Sequence, residues 1–415
     1  MRTGSVLMKR LEKSIGQLDS WLVIHEDKAF DPFDGLNSWL RPLAFGKIGR
    51  QTLLQIVKRC GWNLRPLLGI RPAASSKGMG YLARGYLSLY RLTRDQKWLN
   101  RARHCLTWLR ENPSSDFSYL CWGNHFDYQS RVFWLTEGTP SVVWTALIGH
   151  AFLDAWEALQ DNSYLDSARS VCQFIVENLE RREEGLGECI SYVPQEYHPI
   201  HNANMLAAAV LARTGKHTEE ESLQAIAAQA VAYTVGAQRP DGSWWYGEQE
   251  KLHWVDNFHT GYILDSLFHY IESTGDNAFK ENFLRGAHYY VKNFFSGDGI
   301  PKFYPHRVYP VDVQCVAQSL ESLSILSNTY DRSCLRIAEK VAVWALNHMQ
   351  DPSGYFYYRR TAWRVNRTPM LHWGQATMLA GLSALLCAET GLDSSSESRP
   401  TTLFQRKGPK NSKAD

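Results

Sequence analysis

The stretch Phe258–Thr274, FHTGYILDSLFHYIEST, would be apolar on nearly every face if it were wound into a helix. This pattern is typical of a helix that is surrounded by protein. It stops at Gly275, and the next segment, Asn277–Phe295, places lysine, arginine and glutamate opposite an apolar stripe. That segment predicts an amphipathic helix with one side in solvent. Together the two segments predict a hairpin of one buried helix and one surface helix.

The same order of elements recurs along the chain at intervals of 64, 60, 57, 54 and 61 residues. Buried helices are predicted to begin near Lys77, Ser141, His201, Phe258, Asp312 and Trp373. Short turns are predicted to follow five of them, at Thr93-Arg94-Asp95, Gln160-Asp161-Asn162, Thr214-Gly215-Lys216, Thr274-Gly275-Asp276 and Thr329-Tyr330-Asp331. The connections that lead from each amphipathic helix to the next buried one are much longer. Loop length is therefore asymmetric between the two ends of the hairpins.

Stacked helical repeats form either an open array or a closed ring. An open array needs polar capping repeats at its ends, and the sequence shows none. We therefore predict an all-α fold, an (α/α)6 toroid of six helical hairpins, with an inner ring of buried helices and an outer ring of amphipathic ones. The first outer helix is expected from Gly46 to Cys60, beside the last inner helix. The expected organisation is an N-terminal helical extension (1–27), the toroid domain (28–390) and a disordered tail (391–415).

Composition narrows the function classes. Hydrophobic residues make up 44% of the chain and charged residues 21%, and 45 lysines and arginines face 42 aspartates and glutamates. This balance gives no support to a nucleic-acid or membrane role. No apolar run is long enough for a signal peptide or a membrane span, so a cytoplasmic location is expected. The eight cysteines show no CxxC pairing, which predicts buried, reduced thiols.

The face that carries the long loops is the predicted functional face, a polar, aromatic cup. It also holds the N-termini of all six inner helices, whose N–H groups and dipoles favour an anionic ligand. Seven of the fourteen histidines fall there or at the helix starts: His125, His198, His201, His253, His259, His306 and His372.

Flat aromatic rings with polar neighbours suit a sugar, and arginine suits a uronic carboxylate. The candidate substrate-binding residues share these properties and are Trp122, Trp244, Tyr246, Trp254, Asn257, Tyr304, Arg307, Arg364, His372 and Trp373. Tyr246 and Tyr304 are also candidate phenolic acids or bases. Alternatively, the aromatic residues fill the centre of the ring.

Acid–base chemistry on a sugar needs ionisable groups on opposing sides of the substrate. The candidate carboxylates are Asp127, Asp256 and Asp312, with His201 and His259 as proton-transfer partners. Asp256 or Asn257 also suits the N-cap of the helix that begins there, so a purely structural role is the alternative. No metal or cofactor is expected.

Two stretches carry a family resemblance: Phe30–Ser38 (FDPFDGLNS) and Asp256–Leu264 (DNFHTGYIL). With the repeat pattern, they make the chain resemble six-hairpin glycosidase-like toroid proteins of bacterial capsule and exopolysaccharide biosynthesis clusters. The resemblance implies a carbohydrate context over residues 28 to 390 and leaves the reaction open. Unsaturated glucuronyl hydrolases and uronyl epimerases share this toroid, but their catalytic motifs do not match this chain residue by residue.

A second, smaller resemblance leads to a different class of protein. Gln238–Trp244 (QRPDGSW) is similar to the Gln–Trp repeat of triterpene cyclases, although the consecutive carboxylates of those enzymes are absent. Asp312, Cys315 and His372 loosely resemble the zinc ligands of protein prenyltransferases, with a different Asp-to-Cys spacing. If these features have no catalytic meaning, the aromatic residues after Asp241-Gly242 anchor a loop between outer helices.

Three functions follow from these observations. The first is a carbohydrate-active enzyme of polysaccharide metabolism, a hydrolase, lyase or epimerase that acts on a glycan or uronic acid. The second is a non-catalytic glycan-binding or scaffold protein of a polysaccharide assembly system. The third is a toroid similar to terpene cyclases or prenyltransferases. The expected partners are a glycan or sugar and possible polysaccharide-synthesis machinery, with no nucleic acid and no integral membrane contact.

Overall fold

The computed structural model describes residues 2–391, with side chains from residue 6 onward. Six helices form the inner ring: α3 (Ser76–Thr93), α5 (Val142–Leu159), α7 (His201–Thr218), α9 (Asn257–Thr274), α11 (Val313–Thr329) and α13 (Thr377–Thr390). A short π-helical segment, Leu371–Ala376, leads into α13. Each inner helix packs against the next, and α13 packs against α3, so the ring is closed. The predicted (α/α)6 toroid is confirmed.

The outer ring consists of α1 (Arg2–Ile24), α4 (Gln96–Glu111), α6 (Asn162–Asn178), α8 (Glu221–Gly236), α10 (Lys280–Asn293) and α12 (Ser333–His348). Each of these packs against one inner helix as its hairpin partner. The buried faces of both rings join in one continuous apolar core. Five hairpins are made of consecutive helices, whereas the sixth joins α13 to α1 from the opposite end of the chain.

The prediction that Gly46–Cys60 forms the sixth outer helix is wrong. That segment is a helix, α2 (Gly46–Arg59), but it packs on the loop-rich side against the segment around Asp34 and a short strand. The outer position beside α13 belongs to α1, which lies in the predicted N-terminal extension. Both helices are amphipathic, and α1 is the longer of the two.

Apolar burial and charge pairing both hold α1 in place. Its inner stripe, which includes Leu11 and Leu18, is fully buried. Arg101 of α4 donates to Asp19 of α1 at 3.1 Å and to Asp27 just after α1 at 2.6 Å. Both carboxylates are almost completely buried, so each needs its arginine partner in a defined place. These ion pairs therefore fix the position of α1 relative to α4.

Four of the five predicted short turns lie at the ends of inner helices. The turn predicted at Thr214-Gly215-Lys216 is wrong, because α7 continues to Thr218 and the left-handed residue is Glu219. Gly215 lies inside the helix, where a Cβ would come within 2.9 Å of the carbonyl oxygen of Glu220. Gly215 therefore allows the turn after α7 to pack closely against the helix, and it does not end the helix.

The long loops contain short antiparallel strands that the sequence did not predict. Strand β1 (Tyr128–Gln129) pairs with β2 (Trp134–Leu135), and β3 (Arg181–Glu184) pairs with β4 (Gly187–Ile190). A third sheet joins β5 (Val311–Asp312), β6 (Arg359–Arg360) and β7 (Val365–Asn366) in that order. These strands give the loops a defined shape.

The centre of the ring is filled by a charged network in the C-terminal halves of the inner helices. Arg84 donates to Asp154 at 3.2 Å and to Glu321 at 2.7 Å, and Arg213 donates to Asp154 and Glu157, each at 2.8 Å. All five side chains are largely buried. These ion pairs tie α3, α5, α7 and α11 together inside the ring.

Seven of the eight cysteines are buried, Cys60 is half-buried, and all are free thiols, as predicted. None of the helices within residues 2–391 combines the length and the apolar character that crossing a bilayer requires. The predicted disordered tail lies outside the described residues, apart from Gly391 itself.

Candidate active site

The loops of the loop-rich face are tied to the inner helices by a repeated backbone hydrogen bond. The first N–H of each of five inner segments donates to the carbonyl of an aromatic residue in the long loop of the next repeat around the ring. The pairs are Val142 with Tyr192, His201 with Tyr246, Asn257 with Phe303, Val313 with Tyr358, and Leu371 with Phe30, at 2.8–3.2 Å. The loops are thus positioned by helix ends that need acceptors.

Side-chain caps satisfy further N–H groups at these helix starts. Ser75, Ser141, Asp256 and Asp312 each accept from the first turn of their own helix. Each cap takes up one N–H group of its helix, which reduces the number of free donors on this face. The prediction that the helix N-termini favour an anionic ligand stays a prediction.

At the start of the last inner segment, His372 lies against Asp31. Nδ1 of His372 is 2.5 Å from Oδ2 of Asp31, and both side chains are only 1% exposed. Since an ionised carboxylate only accepts, Nδ1 carries the proton and Nε2 is left with a free lone pair. Among the described residues Nε2 has no hydrogen-bond partner. Burial lowers the pKa of His372, which favours the neutral imidazole.

Three further groups surround this pair. Lys77, in the first turn of α3, is buried, with Nζ 4.9 Å from the centre of the Trp144 ring. Burial lowers the pKa of Lys77 to about 8. Trp144 itself packs edge-on against His372, with ring centres 5.5 Å apart. His125 lies close enough to interact with Asp31, and burial lowers the pKa of His125 to about 4.

Lys77 forms no described salt bridge or hydrogen bond within residues 2–391, but the carboxylate of Asp31 lies close enough to raise its pKa, against the larger opposite effect of burial. A buried ammonium without a contacting carboxylate is unfavourable, which makes Lys77 a candidate ligand-binding group. Two phenols lie beneath it, since the hydroxyls of Tyr81 and Tyr262 are 2.9 Å apart and Gln314 donates to Tyr262 at 3.0 Å. The carbonyl oxygen of the Gln314 side chain is buried and unpartnered. These polar atoms lie on the buried side of the site.

A second imidazole–carboxylate pair stands at the start of α9. Nδ1 of His259 is 2.7 Å from Oδ2 of Asp256, while Oδ1 accepts from the His259 backbone N–H at 3.1 Å. The indole of Trp254 donates to the same carboxylate at 3.0 Å. Asp256 is therefore both the predicted helix cap and the group that orients His259. The His259 side chain is 20% exposed, whereas that of Asp256 is 1% exposed.

Aromatic rings connect the two pairs. The ring of Phe258 is 3.9 Å from that of His259 and 5.4 Å from that of Trp373, and Trp373 is 5.9 Å from His372. On the outer side, Tyr246 stacks on Trp254 at 4.5 Å and lies 4.6 Å from His259. The predicted residues Tyr246, Trp254, His259, His372 and Trp373 are thus brought together. Burial raises the pKa of Tyr246, which disfavours the phenolate role considered for it.

The structure assigns Asp312 to an anchoring role. It caps α11 through the Gln314 N–H, receives the Trp373 indole at 2.6 Å and forms a two-nitrogen ion pair with Arg359 at 2.7 and 3.1 Å. Because every oxygen is engaged and the side chain is fully buried, Asp312 has no lone pair directed at a substrate. Its predicted catalytic role does not fit this geometry.

Asp127 is held in a similar way. It accepts from the Glu137 N–H at 2.8 Å and pairs with Arg41, and its side chain is 6% exposed. His201 forms a third imidazole–carboxylate pair, 2.7 Å from Glu248, but its ring lies against Tyr233 of the outer helix α8. Neither residue joins the cluster around His259 and His372.

Three predicted binding residues lie away from the site. Trp122 is 1% exposed and donates to the Leu109 carbonyl at the end of α4. Trp244 is 2% exposed, donates to the Thr234 carbonyl and leaves no space for a Cβ on Gly286, so it anchors a loop between α8 and α10. Asn257 is fully buried and accepts from Tyr290 of α10. The prediction that these three residues bind sugar is wrong, because their side chains are buried in contacts between the inner and outer rings of helices.

The remaining predicted residues lie on the rim. Tyr304 is half-buried, stacks on His306 and has the guanidinium of Arg307 4.9 Å from its ring. Burial raises the pKa of Tyr304, so it too stays neutral. Arg364 is exposed between β6 and β7 and lies against Gly61. These groups can contact the outer part of a long substrate.

Asp31, Lys77 and Lys58 are candidate site residues that the sequence analysis does not predict. Asp31 belongs to the FDPFDGLNS stretch, in which the sequence alone indicates a family resemblance and no chemical role. Lys77 could have been found as a lone cation at the start of a buried helix. Lys58 of α2 places Nζ 3.9 Å above the Phe33 ring, and burial together with Arg359 lowers the pKa of Lys58 to about 7.

No set of three or more metal-ligating side chains occurs in the described part of the chain. The three residues that loosely resemble a zinc site are Asp312, Cys315 and His372. Two of them have other partners, since Asp312 pairs with Arg359 and His372 pairs with Asp31. A groove on the outer wall, beside Asp241, lies away from the site and contains none of its residues.

The chain matches no family model and no curated protein in sequence. In structure it is similar to a cellobiose 2-epimerase from Bacillus thermoamylovorans B4167, with a TM-score of 0.59 and 13% identity over 76% of this chain and 88% of that one. It is also similar to a sugar epimerase from a ruminal bacterium, with a TM-score of 0.60 and 14% identity over 78% and 91%. A GH76 α-mannanase from Bacteroides thetaiotaomicron has a TM-score of 0.58 and 12% identity over 77% and 87%. At these identities the similarity establishes the fold.

Proposed function

We propose that this protein is a carbohydrate-active enzyme that transfers a proton on a sugar, with the chemistry of an epimerase or isomerase. The observation that carries the proposal is the pair of imidazoles, His259 and His372, each oriented by a buried carboxylate at the same loop-rich face. Removal and return of a proton on opposite faces of a carbon needs two such groups.

The proposed step acts on the open-chain form of the sugar, which has the carbonyl that a closed pyranose lacks. The unprotonated Nε2 of one histidine takes the proton from the carbon beside this carbonyl, and the C–H electron pair moves to the carbonyl oxygen as an enediolate.

In an epimerisation the other histidine, in its protonated form, returns a proton to the opposite face of the same carbon. In an isomerisation the proton returns to the former carbonyl carbon, and the neighbouring hydroxyl proton moves to the enediolate oxygen as the new carbonyl forms. Exchange with solvent then restores the starting protonation of the two imidazoles. Lys77 and the Tyr81–Tyr262 pair would stabilise the negative charge on oxygen, because they offer N–H and O–H groups in a buried setting.

Hydrolysis of a glycosidic bond is less well supported. That reaction uses two carboxyl groups on opposite sides of the bond. Asp312 is neutralised by Arg359, Asp127 pairs with Arg41, and Asp256 is bound to His259. A proton-abstracting lyase remains compatible with the same imidazoles, and it would differ only in the loss of a leaving group.

Support for a sugar substrate comes from the rings beside the histidines. Trp254, Tyr246, Trp373 and Trp144 lie beside the two histidines, and aromatic side chains suit the C–H surfaces of a pyranose. The similarity to two sugar epimerases and a mannanase agrees with this assignment. The resemblance to proteins of capsule and exopolysaccharide biosynthesis adds a polysaccharide context in the cytoplasm to the proposal.

The test is incubation of the purified protein with a panel of reducing sugars and uronic oligosaccharides in deuterium oxide, followed by NMR. An epimerase or isomerase incorporates solvent deuterium beside the carbonyl and produces a stereoisomer or the corresponding ketose or aldose. A new double bond would indicate the lyase. Release of shorter saccharides without deuterium at carbon would contradict the proposal, and saturable binding without any product would indicate the glycan-binding alternative.

A further inference from the structure

Large apolar side chains on the surface are concentrated in one part of the chain. Seven of the thirteen exposed large hydrophobic residues in the described structure fall between residues 39 and 67, and an eighth is Trp363. We call this set the rim patch; its members are Trp39, Leu43, Phe45, Ile48, Ile56, Trp62, Leu67 and Trp363. Single exposed apolar residues are ordinary, but a group of this size marks an interaction surface.

The members of the rim patch are well exposed. Phe45 is 78%, Ile48 80%, Trp62 81% and Trp363 94% accessible. On α2 the residues Ile48 and Ile56 lie on the side opposite the buried Leu53, Leu54 and Val57. One apolar face of α2 therefore packs on the protein, while Ile48 and Ile56 on the other side are exposed.

Contacts within the structure join the separate segments into one surface. The Trp39 indole donates to the Leu67 carbonyl at 3.1 Å. Asn366 of β7 donates to the Cys60 carbonyl at 2.9 Å, and Arg364 lies against Gly61. The turn between β6 and β7, with Trp363 at its tip, thus stands beside the end of α2.

The charge of this region is one-sided. No aspartate or glutamate occurs from Gly35 to Arg94 or from Pro352 to Ala388, although the whole chain is nearly balanced. Among the described residues, Arg41 and Arg65 are the cations of residues 35–71 that form ion pairs, with Asp127 and Asp34. Exposed Lys47, Arg59, Arg71 and Arg364 lie in the same segments as the rim patch and form no ion pair among the described residues, whereas Arg367 interacts with Asp351.

We propose that the rim patch docks onto an anionic lipid bilayer surface. Protein elements that bind at a membrane surface bury apolar side chains at the headgroup level and attract anionic lipids. They are rich in tryptophan, phenylalanine, leucine and isoleucine, flanked by lysine and arginine, and the rim patch has this composition. A second copy of the same patch is disfavoured by repulsion between cations. A hydrated polyanion would leave Phe45, Ile48 and Leu43 without a partner.

The docked orientation has a consequence for the site. Lys58 on the other side of α2 lies over Phe33 and 5.6 Å from Trp373, and Lys47 donates to the carbonyl of Arg131, whose guanidinium lies over Trp254. The same helix therefore borders both the rim patch and the candidate active site. Docking would hold the loop-rich face next to the lipid surface. The inference does not depend on the proposed reaction, since it concerns binding alone.

Vesicle flotation of the full chain tests this proposal. Vesicles of phosphatidylcholine alone are compared with an equimolar mixture of phosphatidylcholine and phosphatidylglycerol, at low and high salt. We expect binding to the mixed vesicles, weakening with salt. The double variant K47E/R59E is expected to lower the partition coefficient by about tenfold or more. The double variant F45S/I48S should weaken flotation, because it removes two of the eight exposed apolar anchors without disturbing the core.

The matched controls are Leu186→Ser, an equally exposed leucine on the β3–β4 turn, and Lys292→Glu on α10; both should float like the wild type. Circular dichroism confirms that each variant is folded. Absence of binding to the mixed vesicles would overturn the proposal, as would equal binding to both vesicle types or binding unaffected by the variants. A concentration-dependent dimer that the F45S/I48S variant abolishes would also overturn it and assign the patch to self-association.

Discussion

Nδ1 of His372 lies 2.5 Å from Oδ2 of Asp31, and this contact joins a residue before the first inner helix to one at the start of the last. The two residues meet only because the ring closes. Phe30 also accepts the Leu371 N–H at 2.8 Å, so the backbone holds the two segments in register. The pair is further supported by Asp34, which accepts the Asp31 N–H at 3.0 Å and is itself bound by Arg65.

Replacement of His372 by glutamine should remove the proposed base and leave the fold intact, since glutamine can still donate to Asp31. We expect the rate of the sugar reaction to fall by about 10²- to 10⁴-fold, the range typical of a lost general base. Activity and thermal unfolding would be measured together. His104→Gln, on the exposed side of α4, is the matched control and should keep full activity. An active H372Q protein would refute the assignment.

Asp256→Asn separates helix capping from catalysis. Asparagine caps a helix about as well as aspartate, so the free energy of unfolding should change by less than about 1 kcal/mol. The charge that orients His259 is lost, however, and the rate should fall by about 10²-fold or more. The two quantities come from denaturant unfolding and from the sugar assay. Loss of stability with retained activity would show that Asp256 is a cap alone.

Lys77→Met is expected to stabilise the protein and to reduce its activity. Burial lowers the pKa of Lys77 to about 8 from an ordinary 10.5, so the unfolded chain binds this proton more tightly than the folded one. Wild-type stability should therefore rise with pH between about 8 and 10.5.

The methionine variant removes that dependence and should gain on the order of 1–3 kcal/mol at neutral pH, because it no longer buries a charge. Denaturant unfolding at several pH values measures both effects. If K77M were destabilised at neutral pH, Lys77 would have to be stabilised by a partner, and its role as an unpaired ligand-binding group would be refuted.

Leu18→Ala tests the role of α1 as the sixth outer helix. Leu18 is fully buried, and its truncation should lower the free energy of unfolding by about 2–5 kcal/mol. Val23→Ala on the same helix, where the side chain is 52% exposed, should have almost no effect. Equal behaviour of the two variants would show that α1 is not packed on α13.

The repeat could be predicted because it depends on local patterns. A helix such as α5, which is apolar on nearly every side, differs from an amphipathic helix such as α6 within a few turns of sequence, and the order of such helices gives six hairpins. The choice between α1 and α2 for the sixth outer position could not be made in this way. Both have one apolar stripe, and only the geometry of ring closure decides which of them covers α13.

The candidate site was predicted in part for the same reason. Asp256 and His259 are three residues apart at a helix start, so their contact is local and could be foreseen. Asp312 has the same position in its own repeat, yet Arg359 and Trp373, which engage its oxygens, come from the next repeat. Trp122 and Trp244 have the composition of sugar-binding residues but are buried between the rings.

The amino-acid sequence by itself determined the helices, their caps and the six-hairpin toroid, because hydrophobic periodicity and capping act over short distances along the chain. Tertiary structure decided which polar residues remain free for chemistry. A carboxylate or imidazole becomes reactive or inert according to its partners, and in this ring those partners come from other repeats and from both ends of the chain. For that reason Asp31, His372 and Lys77 emerge together only in the folded protein.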